Sequence, residues 1–558
     1  MVYTDYLFFP FFLAAVLLYF GLPLKVRWIG LLAASMFFFF TWGVELLPFA
    51  VGAVVVAWAA SCLMKREYLK QDERILREKA WDAAKKAAFR RKVKQRCRYL
   101  LWAAVTLIVG MLVYIKAQHM LAGVPVLTSA VWFFSKVYQH IGRFFMLHMP
   151  VLGIFVKDTG VMETFTEFSF FVPLGISYYT MSLVGYLADV YWRKEEAEKN
   201  ILLLLLYALY FPKILAGPIV KYRDCAPMLR EGHPFAYQRM CEGLQRMLWG
   251  YVKKMVIADR LNLFVSPVFA AYEDYHGAVL LVAAVGSVFY TFCDFSGCMD
   301  IALGASQVFG VELTENFKRP FFSVSVAEYW RRWHMTLGIW FKDYVYMPLA
   351  VSPRLIRLSG KLRDRFGKRA GKNCMTVVPL CVVWLLTGLW HSTGWNYIVW
   401  GSYWGSLIIL STIFEPEITR LSGLFHIPVH SRGFQAVRML RLFMLVIVSR
   451  ILTEPGSLAA SAEILKKIVF QFYPWELFDG TLYTLGLDRP GLHLAAISVC
   501  MLGIIGWKQE KGIVFRDKIA GLPIVLRWSV LLAGIAAVLV FGIYGTGYDA
   551  GSFLYMNY

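Results

Sequence analysis

Apolar stretches of about 17 or more residues, the helical length that crosses roughly 30 Å of hydrocarbon, recur along the whole chain. They lie near 6–22, 27–42, 46–64, 99–115, 169–188, 201–218, 277–293, 375–390, 394–413, 438–452, 492–506 and 521–544. Shorter or interrupted apolar pieces near 125–147, 242–258 and 333–350 suit re-entrant or interfacial helices. The expected fold class is therefore all-α, a polytopic integral membrane protein with roughly 11–14 transmembrane helices. Composition agrees, since 58% of the 558 residues are hydrophobic and 17% charged, against roughly 45–50% and 25% in soluble domains. There is neither an internal repeat nor a low-complexity linker, so residues 1–558 read as a single integral domain.

A formal net charge of +21 could suggest nucleic acid, but the basic residues occupy short loops between spans, which is the positive-inside pattern of a membrane protein. No nucleic-acid partner is expected. Residues 65–98 carry 14 Lys/Arg against 5 Asp/Glu, and PRLIRLSGKLRDRFGKRAGK at 353–372 is similarly biased. Both are expected in the cytoplasm. With Lys25, Arg27 and the basic loop around 507–518 also inside, both termini fall on the outer side. The Ala- and Lys-rich 65–98 segment reads as a solvated helical hairpin arm, with contact to anionic lipid the weaker alternative. No convincing small-residue cleavage site follows the first span, which is read as an uncleaved helix. The nine cysteines show no CxxC pair and no histidine spacing suited to zinc, so packing roles and no metal are expected.

Three polar clusters interrupt this background between 173 and 401. In PLGISYYTMSLVGYLADVYWR, 173–193, Tyr179, Tyr186 and Asp189 share a helix face, as an interfacial aromatic belt would. Gly217 and Pro218 break the span at FPKILAGPIVKY, 211–222. The second cluster, YTFCDFSGCMDIALG, sets Asp294, Ser296 and Asp300 in an apolar frame. Six residues apart, the two carboxylates lie on different helix faces, so a shared-proton acid pair is not implied. Each is expected to fix neighbouring helices or pair with nearby cations, a direct substrate role being the alternative. The third cluster is EYWRRWHMTLGIWFKDYVYMPL, 328–349, followed after a basic loop by TGLWHSTGWNYIVWG, 387–401. Ionisable residues at membrane depth are functional-site candidates, and His334 and His391 sit on neighbouring segments that can face each other across a pocket.

A buried neutral imidazole can take a proton from an alcohol, which suits general-base catalysis. The chain holds no GxSxG elbow and no GxxxxGK[ST] phosphate loop. Acyl transfer from a thioester to a hydroxyl needs only a base, donors for the developing oxyanion and a shielded path. The candidate catalytic residues are His391 and His334, and the candidate substrate-binding residues are Asp294, Ser296, Asp300, Trp330, Arg331, Arg332, Trp390 and Asn396.

The ordered set PLGISYYT, FPKILAGPI, KKMVIAD, CDFSGCMDIALG, ENFKRPF, YWRRWHMTLGIWFKDYVYMPL, TGLWHSTGWNYIVWG and terminal FLYMNY resembles the membrane-bound O-acyltransferase family, in its bacterial alginate O-acetylation and teichoic-acid D-alanyl transfer branch. The match is strong over about 170–410. The resemblance implies membrane helices around a central pocket, with His391 as presumed base and His334 as the second active-site position. It also implies a location in the bacterial inner (cytoplasmic) membrane and no permanently bound cofactor. The acyl donor that the resemblance implies is acetyl-CoA, entering from the cytoplasm. An extracytoplasmic SGNH-type esterase partner and a cell-surface polysaccharide acceptor complete the pathway, and segment 453–490 is the expected docking element on the outer side. CDFSGCMDIA is closer to the alginate type, while Ser392, Thr393 and Cys298 depart from the usual pattern. Teichoic-acid D-alanylation is the alternative within the family, and a proton-coupled transporter or flippase the remote one.

Overall fold

The structure, a computed structural model, describes residues 1–43, 47–121, 174–392 and 394–545. Among them every regular element is a helix. The chain divides into two compact units, Met1–Gly243 with Ala305–Leu313, and Leu244–Gly304 with Thr314–Tyr558.

The first unit contains α1 (Phe8–Gly21), α2 (Arg27–Phe40), α3 (Leu47–Arg77), α4 (Ala83–Leu121), α5 (Ile176–Tyr191), α6 (Ile201–Leu209), α7 (Phe211–Ile214) and α8 (Tyr222–Glu231), and α9 (Tyr237–Tyr251) begins in it. Its core is aromatic: Tyr3, Phe8, Phe38, Phe211 and Phe309 are all fully buried, and edge-to-face contacts link Phe8 to Phe38 and Phe211 to Phe309. The basic segment 65–98 forms the joined ends of α3 and α4, packed side by side as the hairpin arm that the sequence suggests. Lys65 pairs with Glu196 at 2.6 Å, and Arg193 with Asp72, so α3 is fastened to the loop after α5.

The second unit continues through a π-helical stretch, Val252–Ala258, into α10 (Asp259–Ala270) and the long α11 (Gly277–Val308). It then contains α12 (Val326–Arg332), α13 (Met335–Phe341), a second π stretch at Lys342–Tyr346, α14 (Met347–Ala350), α15 (Pro353–Phe366), α16 (Lys368–His391), α17 (Trp395–Ile413) and α18 (Glu415–Leu424). The remaining helices are α19 (Arg432–Thr453), α20 (Leu458–Phe470), α21 (Arg489–Glu510), α22 (Phe515–Ala520) and α23 (Ile524–Phe541). Val279, Leu280, Ala283, Val446, Ile447 and Ile464 belong to its core.

Six described helices are long and apolar enough to cross a membrane: α3, α4, α11, α16, α21 and α23. α17 and α18 together make a seventh, bent by 59°. The chain is thus a multi-pass, all-helical membrane protein, with fewer full-length spans among the described residues than the apolar stretches suggest. Stretches 6–22 and 27–42 form 14-residue helices. At 201–218 the nine-residue α6 gives way to a new helix with Pro212 in its first turn, a residue with no N–H to continue a preceding helix. Stretch 438–452 lies in α19 among Arg438, Arg441 and Arg450, too charged to count as a span. The 125–147 piece, the start of 169–188 and the terminal FLYMNY lie outside the described residues.

Candidate active site

α12 begins at Ser325, whose side chain accepts from Glu328 N at 3.2 Å, while the Glu328 carboxylate accepts from Val324 N at 2.9 Å. This is a variant of the capping box, in which the hydroxyl satisfies a first-turn amide and the carboxylate the amide just before the cap. The helix ends within two turns, and His334 takes a left-handed backbone with φ +46°. A non-glycine residue in that region costs about 1–3 kcal/mol and persists only where its surroundings enforce it. Here a strand-like pairing does so, because Lys318 N donates to Arg332 O at 2.9 Å and Met335 N to Asn316 O at 3.0 Å. The turn buries the His334 ring, 3% exposed, with Phe295 edge-on at 4.8 Å and Trp390 at 5.9 Å.

Asn316 decides where the proton of His334 sits. Its Oδ1 accepts from Thr336 N at 3.1 Å and from Thr336 Oγ1 at 2.9 Å. A backbone N–H can only donate, so the atom it faces must be the amide oxygen. His334 Nδ1 lies 3.1 Å from the same oxygen and must carry the hydrogen, leaving Nε2 as the basic nitrogen of the neutral ring. The amide nitrogen of Asn316 faces Met299 Sδ at 3.3 Å.

His391 is the last residue of α16. The turn into α17 is close because a Cβ on Gly401 would lie 2.5 Å from Trp384 O, and one on Gly388 2.5 Å from Tyr397 O. Only glycine lets the two backbones approach so nearly. The crossing sets Trp400 edge-on to His391 at 5.1 Å, with Trp390 at 4.8 Å and Tyr397 parallel at 6.1 Å. Trp390 touches both imidazoles, so a single indole separates His391 from His334. Trp330 packs on Trp384, Trp404 and Trp400 at 4.9, 5.3 and 5.7 Å. The indole nitrogens of Trp330 and Trp404 are buried and find no acceptor among the described residues, so both can donate to a developing negative charge.

A chain of ion pairs adjoins these aromatic side chains. The π stretch is buried on all sides and holds the sequence neighbours Lys253 and Lys254. Lys254, with no exposed surface, bridges Asp294 at 2.6 Å and Asp259 at 2.8 Å. Lys253 reaches Asp300 at 2.6 Å and both Oγ and the carbonyl of Ser296 at 3.0 Å. Arg246 joins Asp300 at 3.0 Å to Glu315 at 2.7 Å. Glu315 adjoins Asn316, so the charges run from α9 to the loop that tethers His334.

Of the residues singled out in the sequence, His334, His391, Trp390 and Trp330 gather around one aromatic box. Asp294, Ser296 and Asp300 are each held by a lysine of the π stretch, and no shared-proton pair forms, consistent with their spacing. Arg332 binds Glu328 at 2.7 Å and Glu510 at 3.0 Å, whereas Arg331 is exposed. Asn396 is half-buried in the first turn of α17. Ser392 Oγ accepts from Gly394 N at 3.2 Å, and Thr393 lies outside the described residues. Among the described residues no three His, Cys, Asp or Glu side chains gather as a metal site. Asn316, Thr336, Lys253, Lys254 and Trp404 go unnoticed in a reading of single residues, although KKMVIAD and ENFKRPF hold three of them as polar positions beside apolar ones.

The sequence profile described as MBOAT, membrane-bound O-acyltransferase family, matches residues 195–358. A probable alginate O-acetylase AlgI of Pseudomonas fluorescens is 30% identical over 364 residues, 63% of this chain and 67% of its own length. The peptidoglycan O-acetyltransferase of Helicobacter pylori is 28% identical over 256 residues, covering 41% of this chain and 45% of its own. The teichoic acid D-alanyltransferase of Bacillus subtilis is 30% identical over 250 residues, covering 43% and 59%. Several further alginate O-acetylase relatives are matched over somewhat less than two thirds of their length, 60% for that of Pseudomonas aeruginosa. Fold and relatives together define a multi-pass membrane acyltransferase. The chain belongs to the membrane-bound O-acyltransferase family.

Proposed function

We propose that this acyltransferase moves an acetyl group from a cytoplasmic thioester donor, acetyl-CoA, toward hydroxyl groups of an extracytoplasmic cell-surface polysaccharide. The observation that carries the reading is the pair of buried imidazoles on either side of Trp390. In this mechanism His391 takes the proton of the acceptor hydroxyl as its oxygen attacks the thioester carbonyl. His334, its hydrogen fixed on Nδ1 by Asn316, offers Nε2 as an acceptor for a different donor group of the substrate, which holds it in place while His391 takes the reacting proton. The carbonyl oxygen gains negative charge in the tetrahedral intermediate, and the Trp330 N–H is the nearby uncommitted donor for it. Collapse expels the thiolate, which takes the proton from His391, so ester and free thiol leave and the enzyme is restored.

The O-acetyltransferase names of the alginate and peptidoglycan relatives support acetyl as the group transferred. Basic segments 65–98 and 353–372 support a cytoplasmic placement of those loops in a bacterial inner membrane, with both termini outside. An SGNH-type partner on the outer face completes transfer to the polysaccharide. The similarity to the D-alanyltransferase makes D-alanyl transfer the second reading. The test is incorporation of label into surface polysaccharide by cells or proteoliposomes holding the intact protein. Label passing from acetyl-CoA and vanishing in His391→Ala, at unchanged protein level, is the expected result. Label passing only from a D-alanyl carrier-protein thioester supports the second reading, and acetylation that survives His391→Ala removes that residue from the role of base.

A further inference from the structure

α15 carries two parallel stripes that the acyl-transfer chemistry does not use. Ser352 caps it, accepting from Leu355 N at 3.3 Å, Pro353 opens it, and Gly367 at φ +88° ends it. Arg354, Arg357, Lys361 and Arg365 recur at helical spacing along one side and are all exposed. None of the four has a carboxylate partner among the described residues. Leu355, Leu358, Leu362 and Phe366 recur at the same spacing along the adjoining side. Leu355 is buried, but Leu358 is 43% and Phe366 63% exposed, so the apolar stripe is only partly covered by the protein.

The position of this helix relative to a span limits what can meet those stripes. Gly367 turns the chain directly into α16, a membrane-crossing helix whose first turns carry Lys368, Arg369 and Lys372. Ser359 Oγ donates to Gly371 O at 2.9 Å, and a Cβ on Gly371 would meet Arg363 Cβ at 2.8 Å. α15 is therefore clamped against the end of the span. Four exposed cations cannot lie in hydrocarbon, which places the helix at headgroup level. Amphipathic helices with Lys/Arg on the polar face lie in that layer, and their cations attract anionic lipid. The four cations all lie on the exposed side of the helix.

We infer that α15 is a lipid-reading surface: its Arg354, Arg357, Lys361 and Arg365 stripe binds the phosphate groups of anionic phospholipid while Leu358 and Phe366 enter the acyl-chain boundary. The role is independent of the histidine chemistry.

The test is amide hydrogen exchange of residues 353–366 in the full-length protein, in nanodiscs of phosphatidylcholine alone or of phosphatidylcholine with one third phosphatidylglycerol. Protection should be greater in the anionic discs. It should fall to the phosphatidylcholine level in the Arg354→Gln/Arg357→Gln/Lys361→Gln/Arg365→Gln protein, with about a fivefold loss of phosphatidylglycerol affinity per cation removed. Removing four cations from the α3–α4 arm, Lys85→Gln/Lys86→Gln/Arg90→Gln/Arg91→Gln, should leave the protection of 353–366 unchanged. Equal protection of the wild-type helix in both lipids would overturn the inference, reducing the charges to topology signals, and that comparison needs no variant to fold. Protection induced by free coenzyme A in phosphatidylcholine discs, and not by phosphatidylglycerol, would overturn it in favour of a soluble polyanion.

Discussion

Replacing Asn316 separates the orientation of His334 from its presence. Asn316 is 1% exposed, and its Oδ1 serves three donors: the Thr336 amide, the Thr336 hydroxyl and His334 Nδ1. Asn316→Ala leaves all three without their acceptor, and a buried unsatisfied donor costs about 1–3 kcal/mol. The hydroxyl can rotate to a new partner, so the loss of stability should come mainly from the amide and the imidazole, about 2–6 kcal/mol. Activity should fall further than folding explains. Loss of the partner that fixes a catalytic histidine's tautomer has cost about 10⁴ in rate elsewhere, and about 10²–10⁴ per folded molecule is expected here. Asn316→Asp keeps the acceptor but adds a negative charge that stabilises the imidazolium and raises its pKa. His334 then becomes neutral only at higher pH, so the acid limb of the pH–rate profile should move to higher pH while much of the plateau rate returns. The assay is acetyl transfer by purified protein in proteoliposomes, normalised to the folded fraction from a thermal melt. Unchanged activity per folded molecule in Asn316→Ala, or an unmoved acid limb in Asn316→Asp, would refute the reasoning.

Other positions give sharper structural contrasts. Lys254→Met strands Asp294 and Asp259 in the interior and should lower stability by about 3–5 kcal/mol, seen as a fall in melting temperature that Lys254→Met/Asp294→Asn partly reverses. Lys213 is also buried, but it lies over the Tyr207 ring at 4.0 Å with no hydrogen-bond partner among the described residues. Lys213→Met should therefore be neutral within about 1 kcal/mol or stabilising, because it removes an unneutralised buried charge. Gly401→Val forces Trp384 O and the new Cβ apart and should reduce both melting temperature and transfer rate, whereas Gly423→Val, at a position with open space around it, should leave the rate unchanged.

Long apolar runs make the fold class legible because a span is a one-dimensional signal, read from length and composition alone. Their interruption is harder to read. Tyr210 and Pro212 divide one apolar stretch into two short helices, and Arg438, Arg441 and Arg450 fall within the otherwise uncharged run of α19. The two histidines announce themselves as polar groups in aromatic surroundings. Asn316 does not, since its importance arises from a backbone pairing between residues 316–318 and 332–335, and loop pairing leaves no periodic trace. The lysines at 253 and 254 escape for a different reason: consecutive residues on an α-helix point about 100° apart, but every residue from 253 to 259 is buried, so no one-face pattern marks them.

The left-handed turn at His334 dictates how that position should be emptied. Alanine would remove the imidazole yet keep a side chain that resists the φ of +46°, mixing lost chemistry with a loop pulled out of shape. Glycine accepts that conformation freely, so His334→Gly is the deletion that leaves the turn in place, and small imidazole added from solution is the natural occupant for the vacated space.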